Sequence, residues 1–171
     1  MHTVNLSGVV FFASANREIF FSTVLSKSSK YAIRAVLYLA NHTNKTTKIG
    51  SKEVADKLDI PAPFLAKTLQ ELTKKEILSS VKGPHGGFYL TPNNYKKTLL
   101  DIIDCIDGIQ KFNECFLGKH ECNDEAPCVV HHIYLPFKNK LIEKLKTKSI
   151  KEMAQEYAKN NNLDEIIIKH D

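Results

Sequence analysis

The chain has no tryptophan and is poor in glycine, proline and cysteine, with seven, six and four residues among 171. Such low glycine and proline contents exclude collagen-like and low-complexity chains. No apolar run approaches the roughly 20 residues of a membrane helix, so the sequence predicts a soluble protein. A chain of this length buries enough apolar surface to fold without disulfides, as one medium domain or a small domain with an appended element.

Residues 1–23 contain a short apolar run, Val9–Phe12, followed by Ala13-Ser14-Ala15. This order superficially resembles a signal-peptide cleavage site. A basic segment is missing in front of it, and the apolar core is too short. We therefore do not expect export, and we interpret residues 1–23 as a poorly ordered extension.

The charge is uneven along the chain, although the formal net charge is only +5. Residues 24–97 contain 13 Lys and Arg against 5 Asp and Glu, whereas residues 98–171 contain 10 against 13. A basic first half is typical of a domain that binds a polyanion such as nucleic acid. A solvated lysine-rich surface would give the same count, so charge alone leaves both interpretations open.

Two amphipathic helices are predicted at the start of the basic half. The first is capped by Ser28 or Ser29 and runs to about His42, and the second begins at Ser51 and stops near Asp59. The first helix repeats apolar residues at helical spacing, which predicts one buried face: Ala32, Ala35, Val36 and Leu39.

A third helix is predicted over residues 63–76, after the restricted connection Ile60-Pro61-Ala62-Pro63. Its leucines at 65, 69 and 72 share an inner face, opposite Lys67, Gln70 and Lys74. Two helices joined by a tight turn, the second with a basic outer face, are typical of a helix-turn-helix that reads the DNA major groove. Many small helical proteins show the same order, so the pattern by itself is weak.

A β-hairpin is predicted next, with strands at Ile77–Val81 and Phe88–Leu90 and a glycine-rich turn over residues 82–87. Such a turn can approach a narrow minor groove of DNA closely, because glycine has no side chain to clash. The negative potential of that groove would attract the side chains of Lys82 and His85. An ordinary hairpin would need the same glycines. A phosphate-binding glycine loop is excluded because no helix opens directly after Gly87.

The second half contains Cys115, Cys122 and Cys128, followed directly by His131 and His132. If a helix begins near Cys128, His131 lies on the same face as that thiol and is the better ligand of the two histidines. Thiolates with one imidazole suit an iron-sulfur cluster or zinc, although the gaps of six and five residues lack the close cysteine pair of zinc knuckles. Redox-active or inert thiols remain a third reading. Cys105, in a predicted helix over residues 98–107, is expected to be a packing residue.

Together these segments resemble the Rrf-two family of bacterial winged-helix regulators. The resemblance covers about residues 24–158 and is carried by Leu25-Ser26-x4-Tyr31-Ala32, Lys82-Gly83-Pro84-x-Gly86-Gly87, Asp101-Ile102-Ile103-x2-Ile106-Asp107-Gly108 and the three-cysteine loop. It implies a mainly helical fold, a winged helix-turn-helix with a small hairpin wing and a long C-terminal dimerisation helix. It also implies a cytoplasmic homodimer that binds double-stranded operator DNA, with no membrane, no small-molecule substrate and no enzymatic activity.

The resemblance assigns Cys115, Cys122, Cys128 and His131 as ligands, most like the cluster-holding members. Some members use an acidic ligand at the start of the first helix, where this chain has Lys30, and an ammonium group cannot bind iron. A 2Fe-2S cluster is therefore expected, with 4Fe-4S second and zinc third. The residues expected to meet DNA are Ser28, Lys30, Tyr31, Pro63, Phe64, Lys67, Gln70, Lys74, Lys82 and His85.

We therefore predict four regions: residues 1–23 as extension, 24–97 as the DNA-binding domain, 98–158 as a helix, a cluster loop (115–131) and the dimerisation helix, and 159–171 as a loose tail. In the dimerisation helix an apolar stripe is expected at Val130, Ile133, Tyr134, Phe137, Leu141 and Leu145, with Lys138 among the lysines outside it and a kink at Pro136. The cluster would modulate operator affinity by ordering the loop. A metal-free or zinc-bound regulator that responds through its thiols is the alternative function.

Overall fold

The computed structural model describes residues 25–117 and 124–160, and the predicted extension, Cys122 and the tail beyond Asn160 lie outside these ranges. The elements are α1 (Lys27–His42), α2 (Ser51–Leu58), α3 (Ala62–Lys74), β1 (Ser79–Val81), β2 (Gly87–Tyr89), α4 (Leu99–Asp107), α5 (His131–Thr147) and α6 (Ile150–Asn160). Short 3-10 helices at Asn94–Lys96 and Ile109–Asn113 flank α4. The mainly helical fold with one hairpin confirms the predicted class.

Helix α1 is the central element of the core. The predicted Ser28 or Ser29 cap is wrong, because the Ser26 hydroxyl accepts a hydrogen bond from the Ser29 N–H (3.0 Å) and caps the helix. Ser29 is instead fully buried inside the helix. The predicted apolar face is confirmed, since its four residues are completely buried: Ala32, Ala35, Val36 and Leu39.

Helices α2 and α3 meet at the tight connection that the prolines predicted. Asp59 ends α2 in a left-handed conformation (φ 51°), and the Arg34 side chain donates a hydrogen bond to the Leu58 carbonyl (2.8 Å). Pro61 precedes α3, which spans residues 62–74 and ends two residues earlier than predicted. Leu65, Leu69 and Leu72 are all fully buried. Each contributes about 1.5–3 kcal/mol by leaving water, which anchors α3 by one face.

The hairpin is shorter than predicted. Strands β1 and β2 are antiparallel, with Ser80 opposite Phe88. Ile77 and Leu78 are not part of β1 and are buried in the core. Their backbone N–H groups both donate to the Leu72 carbonyl at the end of α3. Ile49, in the α1–α2 connection, exchanges two backbone hydrogen bonds with Phe88 (3.2 and 2.8 Å), so the wing is fastened to the helical core.

Helices from the second half of the chain pack against the first half. Helix α4 packs against α1 and α3, and Thr98 and Asp101 form a capping box at its start. Helix α6 also packs against α1, through the buried Ile150 and Ala154. The backbone N–H of Ile150 donates to the Lys97 carbonyl (2.7 Å). The DNA-binding half therefore shares its core with both ends of the second half.

Helix α5 begins at His131, after Cys128, and continues through Pro136. It packs against α4. Cys128 thus precedes the helix in a turn, and the shared helix face expected for Cys128 and His131 is wrong. None of the described helices is long and apolar enough to cross a membrane.

Candidate nucleic-acid interface and metal centre

The outer face of α3 is exposed to solvent, with apolar residues in its first turn and polar residues beyond them. Every residue predicted to face DNA on this helix is exposed: Pro63, Phe64, Lys67, Gln70 and Lys74. Their spacing of one, three, three and four residues keeps them on one side, because an α-helix returns to the same face every 3.6 residues. The buried leucines hold the other side of the helix against the core, so all five residues of the outer face are presented to solvent together.

Tyr31 lies beneath this surface instead of on it. Only 9% of Tyr31 is exposed, and its ring meets Phe64 edge-to-face at 5.8 Å between centroids. Lys27 and Arg34 place their cations about 6 Å from the same ring (5.9 and 6.0 Å). Tyr31 therefore supports the first turn of α3 and links it to α1, where the predicted contact residues Ser28 and Lys30 are half-exposed.

The wing tip presents Lys82 and His85, both exposed. Its shape depends on Gly86, where a Cβ atom would lie 2.1 Å from the Val81 carbonyl oxygen. Sequence reasoning missed Lys48, whose ammonium lies 5.8 Å from the centre of the Tyr89 ring. Lys48 directly precedes Ile49, and only the long-range pairing of Ile49 with Phe88 places it on the wing.

The candidate metal centre is at the N-terminus of α5. Cys115 is buried, and the adjacent Phe116 ring packs on Tyr134 of α5 at 5.2 Å. Cys128 is half-buried, and its carbonyl accepts the His131 N–H (3.0 Å). Cys128 and His131 are therefore neighbours at the start of α5, and Cys115 is adjacent to Phe116, whose ring contacts that helix. The fourth predicted ligand, Cys122, lies outside the described residues.

His131 is the most buried of these groups, with 1% of its surface exposed. Its Nε2 atom lies 2.8 Å from Oδ1 of Asp124, whose side chain is exposed. A histidine that binds a metal commonly holds a carboxylate on its other ring nitrogen, which fixes the orientation of the ring. Sequence reasoning missed Asp124, since a carboxylate seven residues before a histidine has no recognisable spacing.

Within residues 25–117 and 124–160, no three His, Cys, Asp or Glu side chains are close enough together to hold a metal ion. Cys105 lies on α4, partly packed against the core. Burial raises the pKa of the Cys105 thiol, with a smaller contribution from the negative charge of Glu71. Both effects favour the neutral thiol, which is a poor ligand, in agreement with its expected packing role.

Comparisons with known proteins agree with the winged helix-turn-helix fold. Residues 25–156 match the model of the Rrf2 family, described as an iron-dependent transcriptional regulator. An HTH-type transcriptional regulator of Aquifex aeolicus is 37% identical over 132 residues, covering 76% of this chain and 90% of that protein. The regulator IscR of Vibrio vulnificus is 22% identical over 132 residues, with 77% of each chain covered.

The fold is also that of a solved family member. The structure of CymR, the global cysteine regulator of Bacillus subtilis, superposes with a TM-score of 0.63 at 17% identity, covering 77% of this chain and 96% of that chain. This likeness confirms the winged-helix architecture. The chain belongs to the Rrf2 family of transcriptional regulators.

Proposed function

We propose that this protein binds operator DNA as a homodimer and that an iron-sulfur cluster, held by Cys115, Cys122, Cys128 and His131, modulates its affinity. The observation that supports the proposal is that the segments containing Cys115 and His131 meet near the N-terminal end of α5. These residues lie 16 positions apart, are both buried, and belong to segments joined by the Phe116–Tyr134 ring contact. Burial suits ligands that must exclude water from a cluster.

The donor set fits a cluster better than the alternatives. Three thiolates and one imidazole are ligands that iron-sulfur centres accept, and the wide cysteine gaps disfavour a compact zinc knuckle. The family model that matches the chain is described as iron-dependent. We therefore propose 2Fe-2S as the first choice, 4Fe-4S as the second and zinc as the third.

When bound, the cluster would supply an anionic, redox-active centre. The residues of this chain have three tasks around it. Asp124 orients the His131 ring through its 2.8 Å contact. The N-terminus of α5 presents the positive end of its helix dipole, and Val130 provides no side-chain cap there. Ligation by Cys128 would fix the turn that precedes α5.

The route from this site to the DNA-binding half runs through α4. Helix α5 packs on α4, and α4 packs on both α1 and α3. Fixing the start of α5 would thereby determine the position and orientation of α3. A coupling of about 1–3 kcal/mol, or 5- to 150-fold in affinity, is enough for a regulatory switch.

The dimer is supported by the outer face of α5. Ile133 and Phe137 on this face are 78% and 58% exposed at four-residue spacing, and Val129, in the turn before the helix, is 91% exposed. Large apolar side chains in a row mark an interaction surface. A twin helix from a second copy would cover them and place two α3 helices about one DNA turn apart, as a palindromic operator requires.

Metal content tests the proposal directly. The wild-type protein, purified without oxygen, should be brown, with visible charge-transfer bands and with iron and sulfide in equal amounts. Cys115→Ala should lose the visible bands, the iron and the sulfide. Cys105→Ala is the matched control and should keep all three. Colourless protein that contains zinc or no metal would overturn the cluster and favour the thiol-responsive alternative.

DNA affinity tests the coupling. A duplex is first enriched from a random-sequence pool with the cluster-loaded wild-type protein. Cys115→Ala should bind this duplex 5- to 150-fold differently from the wild type, while Cys105→Ala should bind it equally. Equal affinity of all three proteins would show that the cluster does not regulate binding.

A further inference from the structure

The first turn of α3 contains no side chain that can form a hydrogen bond with a base. It is made of Ala62, Pro63 and Phe64, and the polar residues of the outer face begin one turn later, at Lys67. In a helix-turn-helix, the N-terminal residues of the second helix are the ones that contact base edges in the major groove. The part of α3 expected to enter the groove first is therefore apolar.

Phe64 is the largest side chain of this turn, and 38% of it is exposed. The next residue, Leu65, is completely buried because it lies on the inner face of α3. An aromatic ring that stays partly in water gives up some of the stabilisation that burial would provide. Phe64 is thus a large apolar side chain on the face that the proposed function turns toward DNA.

Tyr31 supports the Phe64 ring from beneath. The two rings meet edge-to-face, with centroids 5.8 Å apart and planes inclined at 75°, an arrangement that aromatic pairs favour. Tyr31 is itself 9% exposed, and the Arg34 cation that lies 6.0 Å from its ring also donates a hydrogen bond to the Leu58 carbonyl at the end of α2. The Phe64 ring is consequently pre-organised, so it would lose little side-chain freedom on meeting a partner.

A phenyl ring can recognise only an apolar group in the major groove. All four standard bases present hydrogen-bonding atoms there, and thymine alone adds a methyl group, with which phenylalanine is one of the side chains that make apolar contact. We propose that Phe64 reads the 5-methyl group of a thymine in the operator, and that Tyr31 is the positioning residue that holds the Phe64 ring in place. This inference rests on the proposed function, since it requires DNA binding, but it does not depend on a metal.

The expected effect follows from the size of the contact. Burial of one methyl-sized group changes an equilibrium constant by about fourfold at room temperature. Replacement of the thymine by 2′-deoxyuridine removes this methyl group and keeps the base pair. The wild-type protein should therefore bind about fourfold more weakly for each critical thymine replaced. Phe64→Ala should bind the thymine and uracil duplexes equally, because it lacks the ring that makes the contact.

The experiment is a scan of single thymine-to-deoxyuridine substitutions. The parent duplex is enriched from a random-sequence pool with the wild-type protein as purified, and fluorescence anisotropy measures its affinity for wild type, Phe64→Ala and Lys67→Ala. Lys67→Ala is the matched control, since Lys67 is an exposed side chain on the same face one turn further along α3. It should weaken binding to every duplex and keep the fourfold preference for thymine.

Two substitutions of Tyr31 test its positioning role. Tyr31→Phe keeps the ring that meets Phe64 and should retain the preference for thymine over uracil. Tyr31→Leu removes the edge-to-face contact and should reduce this preference toward that of Phe64→Ala, in protein that thermal unfolding shows to be folded. A purely structural role would lower stability or overall affinity and leave the ratio of the two affinities unchanged, and that result would reject the role of Tyr31.

The outcomes separate this inference from the proposed function. If the wild-type protein binds every uracil duplex as tightly as the parent, no methyl group is read and the inference is overturned, although DNA binding stands. This result needs no variant, so it holds even if a substitution prevents folding. A thymine preference that persists in Phe64→Ala would assign the contact to another side chain. Failure of the wild type to enrich any sequence would reject the proposed function, and this inference with it.

Discussion

Asp107, the last residue of α4, accepts two hydrogen bonds from Ser26, the residue that caps α1. One comes from the Ser26 backbone N–H (3.1 Å) and the other from its hydroxyl (2.5 Å). The carboxylate also lies at the positive end of the α1 dipole. The two residues are 81 positions apart, so this pair fastens the start of the DNA-binding half to the helix that leads into the cysteine loop.

Asp107→Asn should lower the free energy of unfolding by about 1–2 kcal/mol, because it removes a charge from the helix start and leaves one donor unpaired. Urea denaturation measures this change. Asp56→Asn, an exposed carboxylate on α2, is the control and should stay within about 0.5 kcal/mol. If Ser26→Ala and Asp107→Asn have strictly additive effects, the two residues are not coupled and the link is absent.

Gly86→Ala should distort the wing, since the new methyl group would lie 2.1 Å from the Val81 carbonyl oxygen. Backbone must move to relieve that overlap, so we expect a stability loss of about 1–3 kcal/mol and weaker DNA binding. Gly50→Ala is a suitable comparison, because its Cβ would meet nothing within 4 Å. Denaturation and a fluorescence binding assay would report both effects, and unchanged DNA affinity in Gly86→Ala would exclude the wing from binding.

Lys67 and Gln70 should affect DNA binding in different ways, although both are exposed on α3. Lys67→Ala should weaken binding to all duplexes and reduce the slope of log affinity against log salt by about one, as expected for the loss of one phosphate contact. Gln70→Ala should alter base preference, at a cost of about 1–3 kcal/mol at one position. Binding titrations over several salt concentrations and base-substituted duplexes distinguish them. A salt slope that Lys67→Ala leaves unchanged would place this lysine away from the phosphates.

Charged substitutions on the outer face of α5 should separate the dimer. Ile133→Asp and Phe137→Asp each bury a carboxylate in the proposed interface, which raises the dissociation constant by a hundredfold or more if the face is covered. Sedimentation equilibrium measures the association. Asn139→Asp introduces a carboxylate at an exposed position on another side of the helix, at least about 120° from Ile133 and Phe137, and should leave the dimer intact. A protein that remains dimeric in both interface variants must associate through another surface.

The start of α6 should respond to acid. The Ser149 hydroxyl and backbone N–H both donate hydrogen bonds to the Glu152 carboxylate. These two bonds, of which the hydroxyl bond has the larger effect, hold the pKa of Glu152 below its ordinary value of 4.5. A depressed pKa means that the ionised form stabilises the fold. This contribution is therefore complete at pH values well above 4.5 and is lost as the pH falls through the lower, folded-state pKa.

Glu152→Gln should show the corresponding difference. Its unfolding free energy should fall below that of the wild type near neutral pH and approach it as the solution becomes acidic, because protonated glutamate and glutamine are both neutral. Denaturation curves at several pH values give the comparison. A constant difference at every pH would mean that the charge of Glu152 does not contribute.

Local patterns in the sequence were sufficient for the DNA-binding half. The buried faces of α1 and α3 follow from apolar residues at helical spacing, as the complete burial of Leu39 and Leu69 shows. The turn between α2 and α3 follows from its prolines, and the wing from its glycines. These features depend on a few neighbouring residues, so a single sequence contains the information needed to predict them.

Long-range contacts decided the rest. Three serines within four residues, Ser26, Ser28 and Ser29, could cap α1, and the contact with Asp107, which is distant in the chain, distinguishes Ser26 from the other two. The stripe on α5 gave no indication that Ile133 is exposed while Lys138 is buried. Helical periodicity determines which residues share a face. Which face is covered depends on elements distant in the chain, here α4, and that choice is made by tertiary packing alone.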